Sequence, residues 1–253
     1  MEEITILKLN NFVYNKDFYH EYQPIYNLFE LRVLGFESFF RSEIYSNPEH
    51  VFQLAMKTNN LYELDTHSIF KSISHFYDHY QTDKNLLFVN VFPFTLLNSD
   101  FPSFLDHLSK QLKVSCSQIV FEINEAKKIE DMTLLYKAVS HLRSYGFLIA
   151  IDDIGKGDSD LQKIIELEPD FIKLDRYFSI NLSLSNKKQR FINLLMDFTK
   201  DYSQIILEGI EKPEDLTVAK ELGIPFGQGF LLGEPSRHLF SGKNFLQNTN
   251  NIL

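Results

Sequence analysis

Short runs of β-branched and aromatic residues recur along the chain, separated by longer stretches in which apolar residues return every three or four positions. This alternation is the pattern of βα units, in which buried strands are covered by amphipathic helices. The runs place strands at roughly Tyr22 to Tyr26, Val33 to Phe39, Asn85 to Val91, Gln118 to Ile123, Phe147 to Asp152, Asp170 to Leu174, Gln204 to Gly209 and Pro225 to Leu231. Between them, Met132, Leu135, Val139 and Leu142 repeat at helical spacing before Gly146, a natural helix stop. Phe191, Leu194, Leu195 and Phe198 form a second such set. Pro213-Glu214-Asp215 opens a third helix, with Leu216, Ala219 and Leu222 on one face and Gly223 at its end. A further helical stretch is expected over Val51 to Tyr77. The link around Leu28-Phe29-Glu30 is too short for a crossover helix, so the first two strands are expected to form an antiparallel hairpin.

At 253 residues the chain can be one large domain or two small ones, and a (β/α)₈ barrel of one domain is close to this size. No repeat, low-complexity tract or linker divides it. The composition, 44% apolar and 23% charged, excludes disordered, collagenous and coiled-coil classes. The single cysteine, Cys116, has no partner for an intramolecular disulfide and reads as a structural thiol. Met1-Glu2-Glu3 lacks the basic and apolar regions of a secretory signal, and no run approaches the roughly 20 apolar residues of a membrane span. A cytoplasmic protein is therefore expected. The net charge of −9 argues against a partner such as duplex nucleic acid. It leaves open a small anionic ligand, because acids gathered in one cleft bind divalent cations that in turn attract phosphate.

The chemistry is concentrated at strand ends. Seven of the eight strand candidates carry a polar residue directly after an apolar run: Glu37, Asn90, Glu122, Asp152-Asp153, Lys173, Glu208 and Gln228. In a parallel barrel such ends converge on one mouth. Carboxylates crowded there repel unless metal ions or protons relieve them. An all-oxygen set of carboxylates and a carboxamide suits Mg²⁺ or Mn²⁺ rather than zinc, and Lys173 adds a fixed cation or proton donor. A single acid at a strand end more often caps the following helix, and Asp152-Asp153 alone is compatible with a turn. The eight histidines fall in helices and loops and read as non-ligands, and the basic run Lys187-Lys188-Gln189-Arg190 reads as a solvated helix start.

At these residues the sequence resembles the EAL domain family of cyclic di-GMP phosphodiesterases, from about Tyr22 to Pro235. Tyr22-Gln23-Pro24-Ile25 is similar to the family's opening Tyr-Gln-Pro-Ile, and Glu37-Ser38-Phe39-Phe40-Arg41 stands where Glu-Ala-Leu-Leu-Arg is usual. Phe88-Val89-Asn90, Phe121-Glu122-Ile123-Asn124-Glu125, Asp152-Asp153-Ile154-Gly155-Lys156-Gly157, Ile172-Lys173-Leu174-Asp175-Arg176, Leu207-Glu208-Gly209-Ile210-Glu211 and Gln228-Gly229-Phe230 follow in the family's order. The resemblance implies an α/β fold, a modified (β/α)₈ TIM-type barrel with an antiparallel first strand. The single domain would span residues 1–253, with 1–20 as a lead-in and 236–253 as a tail.

The resemblance also implies two divalent cations, Mg²⁺ or Mn²⁺, per active site. Glu37, Asn90, Glu122 and Asp152 would hold the first, and Asp152 and Asp153 the second. A water activated by the pair would attack phosphorus, giving linear pGpG. Glu208 and Lys173 would orient or deprotonate that water, Gln228 would position it, and Glu125 would anchor the loop after Asp153. Gln23, Arg41, Phe39 and Asp175 would contact cyclic di-GMP, and the protein would be a homodimer. Two departures stand out. Ser38 and Phe39 replace the alanine and leucine of the family signature, and Lys156-Gly157-Asp158-Ser159-Asp160 replaces Thr-Gly-Tyr-Ser-Ser, with Asp158 and Asp160 read as solvated acids. Two other functions are therefore compatible with the sequence. One is a cyclic di-GMP receptor or interaction module without turnover. The other is an enolase-like Mg²⁺ enzyme using Lys173 as base, against which the paired aspartates and the lack of an N-terminal capping domain count.

Overall fold

The computed structural model of the chain describes residues 2–80, 84–123, 132–155 and 160–238, with the backbone alone at 2–8 and 160. Eight strands, β1 (Tyr19–Asn27), β2 (Arg32–Arg41), β3 (Leu86–Val91), β4 (Ile119–Ile123), β5 (Leu148–Ile154), β6 (Phe171–Leu174), β7 (Gln204–Leu207) and β8 (Phe226–Gly227), close in sequence order into a barrel. β1 runs antiparallel to both β2 and β8, and every other neighbouring pair is parallel. Its reversal follows from the tight β1–β2 turn. The Asn27 side-chain oxygen accepts the N–H groups of Phe29 and Glu30, each at 2.9 Å, and Leu31 completes the turn with a left-handed φ of 53°.

The helices are α1 (Glu2–Asn15), α2 (Pro48–Lys57), α3 (Leu61–His79), α4 (Pro93–Leu96), α5 (Phe101–Gln111), α6 (Met132–Ser144), α7 (Asp160–Leu167), α8 (Arg176–Ser179), α9 (Asn186–Thr199) and α10 (Pro213–Glu221). Among the described residues no helix is long and apolar enough to cross a membrane. The helical stretch expected over Val51 to Tyr77 is two helices. Asn59 breaks it with a left-handed φ of 63°, a conformation asparagine tolerates, and Asn47 caps the start of α2 by accepting the Glu49 N–H. The lead-in is also structured. Leu9, Phe12 and Val13 of α1 pack with Phe18, Phe40, Val51, Ala55, Leu61 and Leu64 in a second core beside the barrel. The last strand stops at Gly227, short of the expected Leu231. Only Tyr26 and Asn27 pair with β8, and the chain beyond closes the rest of the seam through paired backbone hydrogen bonds between Tyr22 and Ser236, at 2.9 and 3.1 Å.

The backbones approach closely where β2 meets β3. A Cβ at Gly35 would lie 2.3 Å from the Leu86 carbonyl oxygen, in a register that pairs Gly35 with Leu86. Gly35→Ala should lower the unfolding free energy by about 1–3 kcal/mol, as expected for a methyl forced into a close-packed contact. Urea unfolding checks this, and parent-like stability would show that β2 can shift without cost.

Candidate active site

Inward-facing positions alternate along each strand, so a residue two further on occupies the next layer of the barrel. Ile25, Phe88, Val120, Ala150, Phe171 and Ile206 form an apolar inner cluster. Two residues beyond five of these lie Asn90, Glu122, Asp152, Lys173 and Glu208. β1 runs the other way, so Gln23, two residues before Ile25, takes the corresponding place opposite Glu37.

Adjacent residues of a regular strand point to opposite faces, yet Asp152 and Asp153 reach the same mouth. The β5–β6 register shifts between Ile151 and Ile154, and Asp153 adopts a left-handed φ of 59°. This irregularity re-aims a side chain, a common use of a bulge at a barrel rim.

Lys173 is fully buried at the centre. Its Nζ lies 2.7 Å from Glu122 Oε1, 2.8 Å from Glu208 Oε1, 3.0 Å from Glu37 Oε2 and 3.2 Å from Asp152 Oδ1. Burial alone would lower its pKa, but the charges of Asp152, Glu122, Glu208 and Glu37 overcome it, and the ammonium is held well above its usual range. Burial raises the carboxyl pKa of Glu122 and Glu208, with Glu37 and Asp152 adding to the shift and Lys173 opposing it. The amides complete the network. Gln228 Nε2 donates to Glu37 Oε2 and to Gln23 Oε1, each at 2.9 Å. Gln23 Nε2 donates to the Gly233 carbonyl at 2.8 Å, and Asn90 Nδ2 donates to Glu122 Oε2 at 3.2 Å.

The cluster fits divalent cations on its own chemistry. Glu37, Glu122 and Asp152 each offer one oxygen within 4.8 Å of the others, as do Asp152, Asp153 and Glu208, so the two groups share Asp152. Glu122 Oε1 and Asp152 Oδ1 are buried and, among the described residues, face only the ammonium of Lys173 that they share with two other carboxylates. One ammonium against this many carboxylates leaves a charge deficit, and oxygen donors of this kind suit hard cations.

Beside the cluster a cavity of about 630 Å³ opens between β2, β3, α2 and α3. Asn90, Asp153, Arg41 and Phe39 reach it from the mouth, and Phe40, Phe52 and Phe92 supply aromatic walls. Arg41 Nε donates to Glu21 at 2.7 Å and Nη1 to the Phe40 carbonyl at 3.0 Å, with the guanidinium 5.4 Å from the Phe39 ring centre. Asp175 lies apart from this set in its visible bonding, as the N-cap of α8 accepting the Tyr177 N–H at 2.8 Å. Ser38 Oγ accepts a hydrogen bond from Ser72 Oγ on α3 at 2.6 Å. Glu125, Lys156 and Asp158, and the Asp160 side chain, lie outside the described residues.

The sequence reading missed the part of the cavity contributed by helix α3. Asp65 is buried there and accepts the Phe92 N–H at 2.9 Å, and burial pushes its carboxyl up to about 7. His20 bonds Ser68 at 3.0 Å and is pushed down to about 3 by burial, so it is neutral at pH 7. The detectable signal was Asp65, Ser68 and Ser72 recurring at helical spacing within an otherwise apolar stripe.

A model of the EAL domain matches residues 7–235. The cyclic di-GMP phosphodiesterase TpdA of Vibrio parahaemolyticus is 25% identical over 219 residues, covering 85% of this chain and 36% of that protein. The calcium and cyclic di-GMP complex of Klebsiella pneumoniae BlrP1 superposes with a TM-score of 0.80 at 25% identity, covering 88% of this chain and 56% of that one. The same protein is also known as a manganese and cyclic di-GMP complex, with a TM-score of 0.79 at 25% identity, covering 87% of this chain and 56% of that one. This chain spans only 16% to 54% of the curated relatives it matches.

Replacing Lys173 tests the electrostatic account. Glu122 and Glu208 have folded-state pKa values above the usual 4.5, so their stabilising contribution is complete below about pH 4.5 and is lost as pH rises through the folded values. Removing the ammonium raises those values further. Lys173→Met, free of metal, should be less stable than the parent by about 3–5 kcal/mol at pH 8. The difference should shrink as pH falls and the carboxylates protonate. Denaturant melts across pH check this, and a gap independent of pH would mean that Lys173 acts by packing.

Proposed function

The chain belongs to the EAL domain family, and from that premise we propose that it is a cytoplasmic phosphodiesterase that hydrolyses cyclic di-GMP to linear pGpG. The observation that carries this reading is the pair of carboxylate groups sharing Asp152 beside a cavity entered by Arg41. Glu37, Asn90, Glu122 and Asp152 would hold one divalent cation, Mg²⁺ or Mn²⁺, and Asp152 and Asp153 a second. When bound, such a pair supplies Lewis-acid activation of water and neutralises charge on the phosphoryl oxygens.

The remaining roles belong to the chain itself. Lys173 keeps its proton and serves as a fixed donor that orients water and carboxylates. Glu208, the most open of the four carboxylates around Lys173 with 18% side-chain exposure, is the group suited to take a proton from the attacking water. Gln228, tied to Glu37 and Gln23, fixes the orientation of the cluster on the β8 side. Arg41 has N–H groups left beyond those given to Glu21 and Phe40, and these suit a phosphate. Phe39 offers a face to a base, Gln23 and Asp175 are assigned to the dinucleotide, and Glu125 to the loop after Asp153. The substitution Phe39 changes the shape of the apolar wall and leaves the carboxylates in place. Turnover is therefore favoured over a receptor role.

Glu37→Ala, Asn90→Ala and Asp152→Asn should each abolish pGpG formation while circular dichroism and gel filtration stay parent-like. Mg²⁺ and Mn²⁺ should support turnover, and Ca²⁺ should support binding with much slower chemistry, because Mg²⁺ demands stricter octahedral geometry. Chromatography of the product checks both, and binding of cyclic di-GMP with no pGpG under any of these ions would leave the receptor role standing.

A homodimer fits the outer surface. Phe191, Leu194 and Phe198 lie exposed along α9, and Leu161 and Ile165 lie exposed on α7. Leu194→Glu should shift the protein toward monomer in sedimentation velocity, and an unchanged oligomeric state would remove this face from the interface.

A further inference from the structure

The C-terminal end of α3 carries two histidines four residues apart, His75 and His79, neither of them bonded to the carboxylate cluster. Their rings are stacked, with centroids 4.3 Å apart and planes 21° from parallel. This spacing places two imidazoles on one helical face, as metal-binding helices do.

The hydrogen bonds determine which nitrogen of each ring is available. Tyr22 Oη donates its only proton to the Ser72 carbonyl at 3.0 Å. Its contact with His75 Nδ1 at 3.2 Å therefore requires the imidazole to donate, which puts the ring proton on Nδ1. His79 Nδ1 lies 2.9 Å from the His75 carbonyl oxygen, which can only accept, so it too carries its proton on Nδ1. Both Nε2 atoms then carry a lone pair, and no hydrogen bond of the described residues uses either one. A hydrogen bond at the far nitrogen is the arrangement that fixes the tautomer and orientation of metal-ligating histidines.

We propose that His75 and His79 form a second metal site, through their Nε2 atoms, for a borderline transition-metal cation of the Zn²⁺, Ni²⁺ or Cu²⁺ class. Near-parallel stacked rings do not aim both Nε2 lone pairs at one point, so on binding the exposed His79 ring turns out of the stack, releasing its bond to the His75 carbonyl, and meets the ion held by His75 through bonds of about 2.1 Å. Imidazole selects these ions over Mg²⁺ and Mn²⁺, so the site is chemically distinct from the carboxylate cluster. His75 is ready as a ligand because burial, together with His79, Arg237 and Lys71, lowers its pKa against the opposing charge of Asp78. The helix also contributes, since its C-terminal carbonyls favour a cation. Lys71 and Arg237 oppose it through solvent-screened repulsion that coordinate bonds outweigh. Water completes the coordination shell.

Ni²⁺ titrated calorimetrically into the untagged full chain, in excess Mg²⁺ to fill the carboxylate cluster, tests the proposal. One Ni²⁺ should bind, and His79→Asn and His75→Asn should each weaken it by tenfold or more. Tyr22→Phe keeps the packing but removes the bond that sets the His75 tautomer, and should weaken binding by roughly tenfold. Asp152→Asn should leave the Ni²⁺ affinity unchanged. His79 is exposed, so its variant folds independently of the site. Parent-like binding by His79→Asn, or loss of binding in Asp152→Asn, would overturn the assignment.

Discussion

One buried ammonium holds the mouth of this barrel together. Lys173 sits in the layer where apolar packing gives way to carboxylates, within 3.2 Å of four of them. Its strand is short and its side chain has no exposure, so the position is dictated from below by Phe171 and the inner apolar cluster. The carboxylates are thus assembled before any ligand arrives, at a distance from one another that Lys173 makes tolerable. A site arranged this way is pre-organised electrostatically, and its members cannot be altered singly without changing the protonation of the others.

Much of this was legible in the sequence because the strand period is strict. A polar residue two positions past a buried apolar one, repeated on β3 to β7, marks a single inward layer once the strands are seen as one sheet. The reversed first strand was legible from the length of its turn, whose closure by Asn27 is a local matter. The convergence of Asp152 and Asp153 was not, because it depends on a register shift against β6 that strand periodicity does not contain. The break at Asn59 was missed for a related reason, since one left-handed residue interrupts an apolar rhythm that continues on both sides. Asp65 and His20 escaped notice because their significance comes from what surrounds them after folding.

The aromatic packing gives the mouth a rigid outer wall. Phe12 of α1, Phe40 next to Arg41, Phe52 of α2 and Phe92 after β3 form a chain of ring contacts, with successive centroids 6.4, 5.0 and 4.9 Å apart. Phe92 is also tethered by Asp65 through its N–H. The cavity wall is therefore continuous with the second core, and the first helix of the chain contributes to the shape of the site through Phe12.

The seam between β1 and β8 gives this architecture an order in time. β8 is too short to close the barrel by itself, and the chain as far as Ser236 is needed to complete the edge of β1, while the Gly233 carbonyl holds the Gln23 amide that in turn meets Gln228. During synthesis these contacts become possible only once Ser236 has emerged from the ribosome. A nascent chain can stack its early strands and helices while its mouth still lacks one side, so the site takes shape only when the segment from Gly227 to Ser236 is free to fold back onto β1.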